Sequence, residues 1–95
     1  MENENPATIE INKLTAIVFP NPHRGSFNIK IASPESGSAT IELFTASGQK
    51  LAVKNVAVQK GDNNIIPFSS IRQGTIFYRV HVGKQSANGK VIGME

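Results

Sequence analysis

The chain has no cysteine and no tryptophan, one tyrosine, one aspartate and two histidines. Without cysteine there is no disulfide, no thiolate metal site and no cysteine nucleophile. Asp62 is the sole aspartate, so a catalytic triad or carboxylate pair would have to draw on glutamates from distant loops. No apolar run approaches the ~18 residues that span a bilayer as a helix, so no transmembrane segment is expected. The opening Met-Glu-Asn-Glu-Asn-Pro is acidic and polar, unlike a secretory leader. No segment carries an apolar period of 3.6 residues over a useful length, which excludes a helical core.

What is present is a period of two. In Gly74–Val82, Ile76, Tyr78, Val80 and Val82 alternate with Phe77, Arg79 and His81. Successive side chains of a strand point to opposite faces, so the first set makes one apolar face. This is the longest such run and is expected to be the central strand. At 95 residues the chain suits one domain. A chain of this size buries roughly 60–65% of the surface its unfolded form exposes, which supports a modest core.

The remaining elements follow in order. Residues 1–14 form an expected flexible lead-in or linker, with a short edge strand conceivable over 8–12, and residues 15–95 form the domain proper. Thr15–Phe19 is β-branched and apolar and stops at Pro20-Asn21-Pro22, where two N–H groups are missing. Ser26–Ile31 and Ala39–Thr45 alternate, and Phe44 falls outside its strand's pattern, where it would cover a second apolar patch. Gly48 suits a positive φ in a tight connection. In Gln49–Val58 the apolar parity changes from Leu51 and Val53 to Val56 and Val58, which predicts a bulge near Lys54-Asn55. Lys60–Asn63 reads as a turn and Asn64–Phe68 as a strand. Pro67 marks that strand as an edge or near-edge strand. Ser69–Gln73 reads as a corner with Ile71 plugging the core, Gly83–Asn88 as a turn, and Gly89–Ile92 as the last strand. About seven short strands at roughly 8–12-residue spacing, joined by Gly/Pro/Asn turns, predict an all-β, immunoglobulin-like antiparallel sandwich.

Charge is unevenly placed. Glu2, Glu4 and Glu10 precede a body, residues 11–95, that holds all ten Lys/Arg and only four acids. Such a body could meet an anionic surface, but the lysines are scattered rather than clustered, and simple solubility accounts for them better. His23, in a turn, and His81, on the outer face of the central strand, read as surface residues. Gly61-Asp62-Asn63-Asn64 lacks the spaced carboxylates of a calcium loop. Gly83-Lys84 and Gly89-Lys90 lack the glycine pattern and helix of a phosphate loop. Nucleic-acid binding by a sheet needs exposed aromatics among basic residues, and Phe77, expected to pack on the second sheet or the lead-in, offers little. The residues therefore predict neither an enzyme nor a cofactor, metal or nucleic-acid site.

The order of landmarks carries a resemblance. Phe19-Pro20-Asn21-Pro22 is followed by Gly25-x-Phe27-x-Ile29, Ile41-Glu42-Leu43-Phe44, Ser47-Gly48-Gln49-Lys50, Gly61-Asp62-Asn63, Ser70-Ile71, the strand-opening Gly74, Gly83-Lys84 and Lys90-Val91-Ile92. In this series, over Thr15–Ile92, the chain resembles the type A C-terminal sorting domains of the Bacteroidetes type IX secretion system. The family's tyrosine two residues after the strand-opening glycine is Ile76 here, and Tyr78 stands one inward position later.

The resemblance implies a secretion signal at the end of a larger cargo protein. The cargo would pass through the periplasm and the outer-membrane translocon to the cell surface or beyond. A sortase-like peptidase would then cut before the domain. The export information for the first step would lie elsewhere in the protein, or this chain would be a fragment with an added Met. On this reading Pro20, Asn21, Pro22, Gly48 and Gly74 are structural. Gly83, Lys84, Gly89, Lys90, Val91 and Ile92 would form the recognised end, on a terminal strand at or near a sheet edge and expected to be weakly held. The competing expectation is an immunoglobulin-like accessory module that binds glycan or protein.

Overall fold

A computed structural model describes residues 13–69, 71 and 74–94. The possible strand at 8–12 and most of the lead-in lie outside them. Strands β1 (Thr15–Phe19), β2 (Ser26–Ser33), β3 (Gly37–Thr45), β4 (Lys50–Val58), β5 (Gly61–Ser69), β6 (Gly74–Val82) and β7 (Gln85–Gly93) form two antiparallel sheets. One sheet has the order β1-β2-β5, the other β4-β3-β6-β7. The protein is an all-β sandwich, as the alternation predicts.

The inner faces are the alternating apolar positions. Ile76, Tyr78, Val80 and Val82 of β6 lie beside Ala39, Ile41 and Leu43 of β3, and Phe27, Ile29 and Ile31 of β2 belong to the same core with Ile66 and Phe68 of β5. The rings of Phe27 and Phe68 stack at 5.5 Å. Burying each such large side chain contributes roughly 1.5–3 kcal/mol. β6 is internal to its sheet, flanked by β3 and β7, as expected of the central strand. β5 is an edge strand, as Pro67 indicates.

Several local expectations are corrected. The bulge in β4 sits at Leu51, not at Lys54-Asn55: Ala52 pairs with Leu43 and Lys50 with Phe44, leaving Leu51 as the extra residue. The bulge lets Leu51 reach the core although the strand's even positions face inward, and Val53 is left 45% exposed. β5 starts at Gly61, so Asp62 and Asn63 belong to the strand and the connection is Gln59-Lys60. Asn64 organises it. Its Oδ1 accepts the Gln59 N–H at 2.7 Å, and its Nδ2 donates to the carbonyls of Gln59 and Ile31. Leu14, assigned to the lead-in, is buried in the core. Phe77 does not pack on the second sheet, and the lead-in lies almost wholly outside the described residues. Phe77 stands opposite Phe44 on the outer face of the four-stranded sheet, 40% exposed. Ile71 packs against the core as expected, and its N–H donates to the Gly25 carbonyl.

Candidate recognition edge

The last strand begins earlier than its composition suggests. β6 and β7 are joined by the two-residue turn Gly83-Lys84, and their pairing runs unbroken from Val82–Gln85 to Gly74–Gly93. Residues 85–88, expected in a turn, are therefore paired strand. The two-residue hairpin needs a positive φ, and Gly83 supplies it at +60°. Gly48 (φ +96°) turns β3 toward β4, and Gly74 (φ +100°) opens β6.

The structure sorts the six predicted recognition residues into three kinds. Val91 is fully buried and belongs to the core. Gly83 and Gly89 act through the backbone. Lys84, Lys90 and Ile92 are exposed. Gly89 faces inward over Tyr78, and a Cβ there would collide with the phenol oxygen and approach Cζ to 2.7 Å. The Tyr78 hydroxyl in turn donates to the Ala16 carbonyl at 3.4 Å. Burial raises the Tyr78 pKa above its ordinary value.

The Pro-Asn-Pro corner touches the other end of β7. Both its X-Pro bonds, Phe19–Pro20 and Asn21–Pro22, are cis. The Asn21 side chain behaves as a short stretch of neighbouring strand: its Oδ1 accepts the Ile92 N–H at 3.0 Å and its Nδ2 donates to the Lys90 carbonyl at 3.4 Å. The His23 N–H donates to the Ile92 carbonyl at 2.8 Å, and the Met94 N–H donates to the His23 carbonyl at 2.7 Å. These bonds make a parallel bridge between His23 and Gly93. Asn21, expected to be structural, and Lys90 and Ile92, expected to be recognised, are thus in direct contact. The end of β7 is tied down rather than frayed.

His23 is a second correction. It is a core residue, 1% exposed, not a surface one. Its Nδ1 accepts the Gly25 N–H at 3.0 Å, its ring lies 5.0 Å from Phe27, and its Nε2 is buried without a hydrogen-bond partner. Sequence reasoning missed it because a histidine among turn residues reads as solvated. The available signal was its place between Pro22 and Gly25, where a bend turns the side chain back under the sheet.

The outer face of the four-stranded sheet carries the charge. Glu42 meets Lys50 at 3.1 Å and Arg79 and His81 at 3.8 Å each. The hydrogen bond from Lys50 lowers the Glu42 pKa most. Burial opposes it, and the charges of Lys50, Arg79 and His81 add to the lowering. Arg79 lies over the Phe44 ring at 5.2 Å. Between Phe44, Phe77, Arg79, Asn88 and Lys90 is an open hollow of about 350 Å³. Among the described residues, no group of three or more His, Asp or Glu side chains could hold a metal ion, and no helix is long and apolar enough to cross a membrane.

A small antiparallel β-sandwich whose last strand is a sheet edge, stitched to a Pro-Asn-Pro corner, is the class of protein these features define. The model of the secretion system C-terminal sorting domain matches residues 17–94, and the chain belongs to that family. No curated protein matches it. Among solved structures, the CARDB domain of the PF1109 protein from Pyrococcus furiosus, solved in complex with di-metal ions, is similar at 8% identity. The match covers 99% of this chain and 100% of that chain with a TM-score of 0.46, a likeness too loose to carry an argument.

Proposed function

We propose that this domain is the export address of a larger cargo protein, read by the type IX outer-membrane translocon at the hairpin end formed by Gly83, Lys84, Gly89, Lys90, Val91 and Ile92. A sortase-like peptidase then separates it from an N-terminal cargo, which is released or held at the cell surface. The domain catalyses nothing itself. Membership of the sorting-domain family supports this reading. So does one observation of the molecule: β7 is an edge strand, and Lys90 on it and Lys84 in the turn before it are both exposed.

The test is a fusion of the whole chain to the C-terminus of a reporter that carries an inner-membrane export leader, expressed in a type IX-competent cell. The reporter should reach the cell surface or the medium, and should stay in the periplasm when the domain is left off. Periplasmic retention of a folded fusion would sink the proposal. Deleting Gly83–Glu95 alone is a poor control, because it removes Val91 from the core.

The hollow between Phe44 and Phe77 supports the second reading, an accessory module that binds glycan or protein. That reading predicts ligand-induced shifts at these two residues and export that is indifferent to β7.

A further inference from the structure

Among the described residues, three of the four sheet edges carry a device against further pairing. β1 is five residues long and ends at Pro20. β4 is distorted by its bulge at Leu51. β5 contains Pro67, which has no N–H to offer, and the Pro67 carbonyl accepts from Lys54 Nζ. β7 differs. It is nine residues long, contains no proline and keeps continuous register with β6.

Only part of this edge is open. The Ile92 N–H and carbonyl point away from β6, because they bond Asn21 and His23. Backbone direction alternates along an antiparallel strand, so Ser86, Asn88 and Lys90 point the same way. All three are exposed. Among the described residues nothing bonds their outward groups, apart from the Asn21 amide on the Lys90 carbonyl. The open stretch, about 14 Å long at strand rise, is bounded by the hairpin turn on one side and the Asn21–His23 tie on the other.

We propose that Ser86–Lys90 is a strand-addition site. An extended segment of a partner protein pairs its backbone with the outward groups of Ser86, Asn88 and Lys90. The partner residue opposite Lys90 is acidic. Lys90 has no ion pair among the described residues, and Lys84 and Arg79 lie in the turn and the next strand. Glu42, on the outer face of the same sheet, is already paired with Lys50 and Arg79, and the Glu35 carboxylate lies beside the turn at Gly83, so among the described residues Lys90 is the cation left for a partner's acid. The inference rests on the export reading and adds the mode of recognition to it.

The reporter fusion tests both separately. Asn88→Pro deletes one outward N–H and leaves the bonds to β6, while Asn88→Ala alters only the side chain. Both purified domains are first melted to show that they fold. The expected result is export of Asn88→Ala at the parent level and a loss of at least tenfold for Asn88→Pro. Parent-level export of a folded Asn88→Pro overturns strand addition and leaves the export reading standing. Failure of the parent fusion overturns the export reading itself. Ser86→Pro repeats the test at the other end of the stretch. Should neither proline variant keep the parent melting transition, Lys90→Glu decides. Its export should fall several-fold, and unchanged export overturns the proposal.

Discussion

Asn21 commits its side chain to two backbone groups of β7, and this gives the Pro-Asn-Pro motif a physical role. Asn21→Ala leaves the Ile92 N–H without its acceptor. The expected cost is about 1–2 kcal/mol for the two bonds, read by urea denaturation, with faster amide exchange at Ile92. Gly89 is explained by a close approach. Gly89→Ala places a methyl against the Tyr78 hydroxyl and should cost about 1–3 kcal/mol. Combining it with Tyr78→Phe should cost less than the sum of the single changes, because the first colliding atom is gone. Additive costs would show that the strain lies elsewhere. The sequence marked Asn21 and Gly89 as special but could not show what either touches. Each partner lies on another strand.

β4 and β7 show where reading elements from pattern succeeds and where it stops. The change of apolar parity in β4 announced a fault, and the fault exists. Its position at Leu51 depends on the register with β3, which one strand's pattern does not contain. The structure separates two valines that look alike in sequence. Val53→Thr should change stability by no more than about 0.5 kcal/mol, since the residue is exposed. Val58→Thr buries a hydroxyl in a core position and should cost about 1–3 kcal/mol, measured in the same denaturation series. Equal effects would reject the assigned bulge. In β7 the residues Gln85–Asn88 carry too little apolar content to read as strand, and pairing with β6 makes them one.

Across the whole molecule, the two outer faces differ. The three-stranded sheet exposes Ile17 and Ile65, on either side of Lys30 in register. The four-stranded sheet carries the cluster around Glu42. The folded-state pKa of Glu42 is lowered, so its contribution to stability is present above the unfolded value and is lost as pH falls through the folded one. Stability should therefore decline as the solution is acidified below the ordinary glutamate range. Glu42→Gln should flatten part of that decline, as followed by melting temperature against pH. A profile unchanged by the substitution would show that Lys50, Arg79 and His81 do not act on Glu42 in solution.

Alternation of side chains is a local property, and it determined most of what the sequence could say by itself. It set the all-β class, the inward set Ile76, Tyr78, Val80 and Val82, and, with the spacing of the turns, the landmarks that place the chain among sorting domains. Tertiary structure alone decided that β1 and β4 are the other two edges beside β5 and β7, that His23 lies in the core, and that Asn21 closes one end of β7 while Ser86–Lys90 stays open. These depend on contacts between residues far apart in the chain, such as the 71 positions that separate Asn21 from Ile92. No local period records such a contact, because its energy exists only once the two sheets have come together.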